Sequence, residues 1–275
     1  MKLIKVSLSF FLLFFALQAS SQIHWLDSYE VAKEVAKEQN KLIVVDCWAT
    51  WCGPCVKMDD EVWSNEKITH YADSFIFVKI DLSSGFSNPN FMVKAIPKIF
   101  VTDAWNTQMN DYTGYQSTSR MNSVLESFCF DVSQIYDVKK EIKDEDNDIE
   151  SFVTLAMRYQ EAFLDLNRDA RIPLKNQSNL FFRKAEKELK KNEDGIFLER
   201  VNILSCMNKN PKKRLKILNG IKPEDKNNLL LKNVVLVKTY LALEDKKSAQ
   251  EYYDKVKSEE LPYYDFLKEE RSLLN

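Results

Sequence analysis

The chain has 275 residues, which is enough for two domains of ordinary size. Apolar residues make up 45% of it and charged residues 29%, the composition of a globular protein, and its 5 glycines favour a helix-rich architecture. The 41 acidic and 39 basic residues nearly cancel, so the charge balance excludes the strongly basic proteins that bind nucleic acid.

Residues 1–21 have the pattern of a secretory signal peptide. Two lysines precede an apolar run over residues 6–17, and small residues follow at 19–21. We expect cleavage before Gln22 or after Ala19. An N-terminal membrane anchor is the alternative, but the run is shorter than the ~20 residues that a spanning helix needs. The pattern therefore predicts an exported protein, periplasmic or extracellular after cleavage.

Helical and strand patterns alternate over the next part of the chain. The predicted order is helix, strand, helix, strand, short helix, strand, strand and helix, over residues 25–40, 42–47, 55–71, 75–82, 91–95, 98–103, 109–113 and 118–136. Asp27 or Ser28 is the predicted cap of the first helix. The strands at 42–47 and 75–82 are almost continuous apolar runs, which are typical of strands buried on both faces.

The pattern changes after a charge-dense segment at residues 137–150, which holds seven acidic and three basic residues. This composition predicts a solvated linker or a helix extension. Helical patterns alone follow, over residues 149–168, 176–192, 195–207, 211–219, 227–243, 245–257 and 263–273. Prolines occupy the predicted breaks, at positions 173, 211, 223 and 262. The sequence therefore predicts an all-helical domain over residues 151–275.

One helix pair in this domain is similar to a degenerate tetratricopeptide repeat. Its matching positions are Leu236, Tyr240, Leu241, Ala249, Tyr252, Tyr253 and Val256. Glu244 stands where such repeats have a small turn residue, and no clean period of about 34 residues is present. A stack of repeat-like helix pairs and an irregular helical bundle are both open interpretations.

The chemistry that the sequence indicates is concentrated at Cys52 and Cys55, which are separated by Gly53 and Pro54. They follow an apolar strand and open a predicted helix. Two thiols at this spacing can close a disulfide, and the partial positive charge of the helix N-terminus favours the thiolate of the first. We predict that Cys52, partly exposed, is the attacking nucleophile and that Cys55 is the resolving thiol.

A C-x-x-C pair is also half of a zinc site. The remaining candidate ligands are His24, His70 and three scattered cysteines, so we predict no metal. Cys47 and Cys129 are expected to be buried core residues. Cys206 is expected to be a free core thiol, with a bridge to another molecule as the alternative.

The stretch around the cysteine pair resembles the active site of the thioredoxin family. Trp51-Cys52-Gly53-Pro54-Cys55 is intact, Trp48 stands three residues before Trp51, and Asp46 stands six residues before Cys52. The predicted order of elements over residues 22–136 is also the order of that fold. The resemblance implies an α/β thioredoxin fold, with a central mixed sheet flanked by helices, followed by the all-helical domain.

The resemblance also implies roles for individual residues. Asp46 would be buried with a raised pKa and would accept the proton of Cys55, a strand-end aspartate facing water being the alternative. Ile96-Pro97 resembles the cis-proline loop that faces the dithiol. The substrate-binding residues implied are Trp51, Gly53, Pro54, Ile96 and Pro97.

Two positions depart from typical thioredoxins. Asp60 stands where they carry a kinking proline, which makes this segment more similar to the reductase domain of periplasmic electron-relay proteins. Phe77 is expected to replace the lysine that accompanies the buried aspartate, which puts the tuning of the proton transfer in question.

These observations predict an exported thiol-disulfide oxidoreductase that reduces protein disulfides through a Cys52/Cys55 cycle. The Gly-Pro pair between the cysteines resembles that of reducing members of the family, which implies a reductase rather than an oxidase. No bound cofactor is needed, and the expected partners are protein disulfides, an electron-donating redox partner and a protein partner of the helical domain. The competing hypothesis is an interaction or scaffold protein in which the helical domain does the main work and the redox site is secondary.

Overall fold

The computed structural model describes residues 22–85, 88–142, 148–164, 166 and 168–257. The predicted signal peptide, the centre of the charged segment (143–147) and the predicted last helix (263–273) lie outside the described residues. Within these described ranges, no helix is long and apolar enough to cross a membrane.

An α/β unit comes first along the chain. Its strands are β1 (Trp25–Leu26), β2 (Leu42–Trp48), β3 (Phe75–Asp81), β4 (Lys98–Thr102) and β5 (Gln108–Thr113). Its helices are α1 (Tyr29–Gln39), α2 (Gly53–Met58), α3 (Glu66–Thr69), α4 (Thr118–Phe128) and α5 (Ser133–Glu141). A π-helical turn, Asp59–Trp63, continues α2.

The five strands form one mixed sheet in the order β1-β3-β2-β4-β5. The central strand β2 pairs parallel with β3 and antiparallel with β4. Every residue of β2 except Trp48 is buried, as expected for a strand covered on both faces. Cys47 near the end of β2 lies opposite Lys98 at the start of β4. The segment after β2 and the segment before β4 therefore meet at the same end of the sheet.

An all-helical region follows. Its helices are α6 (Ile149–Leu164), α7 (Arg168–Lys191), α8 (Gly195–Ser205), α9 (Pro211–Gly220), α10 (Lys226–Leu241) and α11 (Lys246–Asp254). The predicted fold class, an α/β unit with a mixed sheet followed by helices, is confirmed.

The apolar core of the α/β unit continues into the helical region. One buried cluster joins sheet residues such as Ile43 and Phe100 to Leu155, Tyr159 and Phe163 of α6. Helix α7 lies against β5, the edge strand of the sheet, and against α4. A covered edge strand is protected from pairing with other chains. The helical region is thus packed on the α/β unit through a shared core.

Several helix predictions in the α/β unit are wrong at their ends or entirely. The first helix begins at Tyr29, because Trp25 and Leu26 instead pair with β3; Ser28 caps it by accepting a hydrogen bond from the Val31 N–H at 3.3 Å. Residues 91–95 are not helical. The Asn88 side chain accepts hydrogen bonds from the next N–H groups in the loop, and this local turn competes with helix formation.

The predicted closing helix at 118–136 is broken into α4 and α5. Cys129 ends α4 and α5 begins at Ser133; between them the Asp131 carboxylate forms a local turn by accepting a hydrogen bond from the Ser133 N–H at 2.8 Å. Cys129 is exposed, so the prediction that it belongs to the core is wrong. Pro173 lies inside α7 rather than at a break; its missing N–H costs one hydrogen bond near the start of that helix.

Candidate active site

Cys52 and Cys55 form a disulfide at the start of α2, with their Cα atoms 5.3 Å apart. Cys52 is the N-cap residue, and its Sγ accepts a hydrogen bond from the Cys55 N–H at 3.2 Å. Pro54 stands in the first turn, where its fixed φ suits a helix start. A hydrogen bond to sulfur favours the charged form, so this N–H favours the Cys52 thiolate once the disulfide opens.

The disulfide is more covered than the sequence suggests. Cys52 is only 5% exposed, because Trp48, Ala49 and Ile96 pack around the two sulfurs. The prediction that Cys52 is partly exposed is therefore wrong for this disulfide form. Trp51, the residue before Cys52, is 59% exposed and marks the open side of the site.

The loop before β4 faces the disulfide. The Ile96-Pro97 peptide bond is cis, as the resemblance implies, and Ile96 packs against the cysteine pair. The Gly114 N–H donates to the Pro97 carbonyl at 2.8 Å, which ties the loop to the end of β5. Gly114 has a φ of 82°, in the left-handed region that favours glycine.

The turn after β3 holds the Trp51 loop in place. The Trp51 indole N–H donates to the Ser83 carbonyl at 3.1 Å, and the Thr50 N–H donates to the Ser83 hydroxyl at 2.9 Å. Ser83 is itself fixed by its N–H, which donates to the Asp81 carboxylate at 2.7 Å. This support of the exposed tryptophan is a contact between segments far apart in the sequence.

Asp46 is buried in β2, and burial raises its pKa from 3.8 to about 7. The nearby charge of Lys79 opposes this shift, and the charge of Asp59 adds to it. A carboxyl group that titrates near neutral pH can both accept and return a proton there. The predicted burial and the raised pKa of Asp46 agree with the structure; its role toward Cys55 stays a prediction.

A lysine does accompany Asp46, so the expectation that Phe77 replaces this lysine is wrong. Lys79 lies opposite Asp46 in the register of β2 and β3, whereas Phe77 lies opposite Val44 in the core. The Lys79 ammonium forms an ion pair with Asp59 and lies 5.0 and 5.1 Å from the rings of two tryptophans, at positions 25 and 48. The expectation for Phe77 was wrong because the register between neighbouring strands decides which residue lies opposite Asp46. The sequence of a single strand does not determine that register.

The segment after α2 also differs from the expectation. At Asp60, where typical thioredoxins carry a kinking proline, the chain forms the π-helical turn Asp59–Trp63, which is another feature that bends helices. The turn places Asp59 beside Lys79. Sequence reasoning missed Lys79, Asp59 and Ser83; the alternation of charge with apolar residues in β3 was the available signal for Lys79 only.

Among the described residues, the candidate metal ligands and the free cysteines do not assemble into a second site. Cys47 and Cys206 are buried free thiols, and burial raises their pKa values to about 12 and about 11. In the described part of the chain, no three His, Cys, Asp or Glu side chains form a group that could hold a metal ion.

A disulfide at a helix start can open and close by thiol-disulfide exchange, and β2, the strand that leads to it, carries in Asp46 a carboxyl group with a pKa of about 7. The fold and this site have the arrangement in which thiol-disulfide exchange takes place.

Comparison with known proteins identifies the family. A family model described as thioredoxin-like matches residues 24–104. Thioredoxin-1 of Drosophila melanogaster is 31% identical over 83 residues, which are 30% of this chain and 75% of that protein. Thioredoxin H4 of Arabidopsis thaliana is 39% identical over 75 residues, which are 27% of this chain and 61% of that protein. The chain belongs to the thioredoxin family.

The matches are local. The chain spans 31% of the length of chloroplastic thioredoxin M2 of Arabidopsis thaliana, with 37% identity over 60 residues. A solved thioredoxin of Malassezia sympodialis has 23% identity and a TM-score of 0.34, and the match covers 40% of this chain and 93% of that one.

Proposed function

We propose that this protein is an exported reductase of protein disulfides. The observation that carries the proposal is the disulfide at the start of α2, in which the Cys55 N–H is already directed at Cys52 Sγ. This geometry supports Cys52 as the sulfur that attacks and Cys55 as the one that resolves. Ile96, packed on the pair, supports the loop before β4 as the place where an extended substrate lies.

The reaction moves two electrons in two exchanges. The Cys52 thiolate attacks one sulfur of a substrate disulfide, so a mixed disulfide forms and the other substrate sulfur leaves as a thiolate. Cys55 then loses its proton, for which Asp46 is the proposed acceptor, and attacks Cys52 Sγ. This step breaks the mixed disulfide, releases the second substrate thiolate and regenerates the Cys52–Cys55 disulfide. An electron-donating partner must then reduce that disulfide.

The direction of the reaction is supported by the Gly53-Pro54 pair between the cysteines. It is tested by the reduction potential of Cys52/Cys55 in the protein lacking residues 1–21, equilibrated with thiol buffers. We expect a value near the thioredoxin potential of about −270 mV, whereas a value near −120 mV would indicate an oxidant. Absence of a reversible two-electron couple would reject the redox function and favour a scaffold protein.

Export is proposed from residues 1–21 alone. The test is the mass and N-terminal sequence of the protein isolated from the extracytoplasmic fraction of its host. A chain that begins at Gln22, or at Ser20 if cleavage follows Ala19, would support export. A full-length chain in the cytoplasmic fraction would reject it.

For the helical region we propose repeat-like helix pairs that bind a protein. The support is the α10–α11 pair, in which the rings of Tyr240 and Tyr252 are stacked with centroids 5.5 Å apart. Glu244 in the connecting turn has a φ of 61°, a left-handed conformation in place of the small residue of such repeats. Isothermal titration with an extended peptide from a candidate partner, and loss of binding in a Tyr252→Ala variant, would test this role.

A further inference from the structure

Two buried polar atoms next to the central strand β2 lack hydrogen-bond partners. They are Oδ1 of Asp46 and the indole Nε1 of Trp63, and neither has a partner among the described residues. The carboxyl oxygen accepts hydrogen bonds and the indole N–H donates them, so each atom could satisfy the other. An unpaired donor in a protein interior costs free energy, and a fold that keeps one there needs a physical reason.

A chain of contacts places the Trp63 ring in the neighbourhood of Asp46. Lys79 lies opposite Asp46 in the register of β2 and β3, and its ammonium lies 5.0 Å from the centroid of the Trp25 ring. The Trp25 ring packs edge-to-face on Trp63, with ring centroids 5.3 Å apart. Trp63 is only 3% exposed, so bulk solvent does not satisfy its indole N–H.

The π-helical turn presents two groups with opposite effects to Asp46. Burial raises the pKa of Asp46 to about 7, the charge of Lys79 lowers it, the charge of Asp59 raises it, and hydrogen bonding by Trp63 lowers it. Asp59 and Trp63 are the first and last residues of the turn. The indole N–H is close enough to act on the carboxyl group, but the two atoms do not form a hydrogen bond of normal geometry in this disulfide form. Trp63 therefore favours the carboxylate without adding a charge to the core.

Other residues beside Asp46 do not titrate near neutral pH. Ile99 of β4, which lies opposite Asp46, is apolar. Burial raises the pKa of the Cys47 thiol to about 12, so it stays neutral at pH values near 7. Cys52 and Cys55 are joined in the disulfide and have no proton to lose. In the oxidised protein, Asp46 is therefore the group in this part of the core that we expect to titrate near pH 7.

We propose that Trp63 is a positioning residue that hydrogen-bonds the ionised Asp46 carboxylate and prepares it to take the proton of Cys55. This inference rests on the proposed reductase function. In the resolving step the Cys55 S–H proton passes to Asp46, and the electron pair left on sulfur forms the bond to Cys52 Sγ while the substrate thiolate leaves. Asp46 can accept that proton only when it is ionised. A hydrogen bond to a charged group is stronger than one between neutral groups, so the indole N–H increases the ionised fraction at neutral pH.

The hydrogen bond is tested by nuclear magnetic resonance of the oxidised protein with nitrogen-15 in the tryptophans. The Trp63 indole signal is assigned through its contacts with the Trp25 ring, so the measurement needs no change at Trp63. The signal should move with pH at the same midpoint as the Asp46 carboxyl group and should not move in Asp46→Asn. The indole of Trp105, which packs on Tyr136 beyond the far end of β4, is the internal control and should keep its position. A Trp63 signal that does not follow Asp46, or that moves equally in Asp46→Asn, would overturn the inference.

The role in the resolving step is tested by Trp63→Phe, which keeps an apolar ring and removes the N–H. Reduced protein is mixed with a synthetic peptide that contains one disulfide, and decay of the mixed disulfide is followed by acid quenching and mass spectrometry. We expect the decay to be about tenfold slower than in the wild type at about pH 6, because a pKa of Asp46 raised by about one unit leaves about a tenth as much carboxylate there. At about pH 9 Asp46 is ionised in both proteins, and the two rates should agree.

The matched control is Trp105→Phe, the same substitution away from Asp46, which should keep the wild-type pH profile. An unchanged profile in Trp63→Phe, an equal shift in the control, or a loss in Trp63→Phe that is the same at every pH would each overturn the inference. If the wild type reduces no peptide disulfide at any pH, the reductase function itself fails. The indole titration does not depend on that activity, so the two failures are distinguishable.

Discussion

Asp46 and Lys79 lie opposite each other on neighbouring strands, yet the ion pair of Lys79 is made with Asp59. The lysine charge is therefore shared between a buried and a half-buried carboxylate. This sharing explains why Lys79 lowers the pKa of Asp46 only in part, so that burial keeps it at about 7. Asp46 is the proton acceptor proposed for Cys55. Its pKa near neutrality thus reflects its burial in β2 together with the charges of Lys79 on β3 and Asp59 on the π-helical turn.

Ionisation of Asp46 should destabilise the fold at high pH. Its folded pKa of about 7 lies above the ordinary 3.8, so its contribution to stability is fully present below about pH 4 and is lost as pH rises through 7. Asparagine cannot ionise, so Asp46→Asn removes this loss. The change in the free energy of unfolding that the substitution causes should be about 4 kcal/mol more favourable at about pH 9 than at about pH 4. Urea unfolding of the oxidised proteins at both pH values measures the difference. A pH-independent difference would place the pKa of Asp46 near its ordinary value.

Lys79 and Asp59 should shift the pKa of Asp46 in opposite directions. Lys79→Met removes a positive charge and should raise the pKa of Asp46 further. Asp59→Asn removes a negative charge and the ion-pair partner of Lys79, so it should lower the pKa of Asp46. A pH titration followed by nuclear magnetic resonance, with aspartate labelled with carbon-13 at the carboxyl group, measures the pKa of Asp46 directly. Asp60→Asn, a neighbouring exposed position, is the matched control and should leave the titration unchanged. Shifts of the same sign in both variants would contradict the shared-lysine arrangement.

The two active cysteines should behave differently when replaced by serine. Cys55→Ser leaves Cys52 able to attack but without a resolving thiol, so a mixed disulfide with a peptide disulfide should accumulate to one per chain. Cys52→Ser should form none, and its reductase activity should fall by at least about a thousandfold. Mass spectrometry detects the adduct. Cys129→Ser, at the exposed free thiol, is the control and should retain wild-type activity. If the Cys52→Ser variant instead forms an adduct at Cys129, an exposed thiol is sufficient for attack on the peptide without the helix start at α2.

The buried ion pair between α5 and the end of β4 should contribute strongly to the free energy of unfolding. Lys139 pairs with Asp103, whose carboxylate also accepts hydrogen bonds from the Trp105 and Thr107 N–H groups at 2.8 and 2.9 Å. Lys139→Met leaves a buried carboxylate unpaired and should lower the free energy of unfolding by about 3–5 kcal/mol. Lys140→Met, at an exposed pair, should cost less than about 1 kcal/mol. Similar losses in both variants, measured by urea unfolding, would contradict this assignment.

The sequence predicted what local pattern determines. Continuous apolar runs located β2 and β3, and the cysteine motif located the disulfide, because these signals lie within a few neighbouring residues. The lysine beside Asp46 was missed because strand register brings it there, and the wrong assignment of Cys129 came from a break that Asp131 introduces into an otherwise helical pattern. The packing of the helical region on the sheet depends on contacts between distant segments, which periodicity does not contain.

The shared core should make the α/β unit and the helical region unfold together. All 5 tryptophans precede residue 106, so tryptophan fluorescence reports on the α/β unit, whereas circular dichroism is dominated by helices of both parts. Leu155 of α6 is buried in the cluster that includes the sheet. Leu155→Ala should therefore lower the free energy of unfolding by about 2–5 kcal/mol in both signals, with coincident midpoints. Leu180→Ala, at an exposed position of α7, is the control and should change it by less than about 1 kcal/mol. If Leu155→Ala shifts only the circular dichroism midpoint, the helical region unfolds on its own, and the shared core does not couple the two parts.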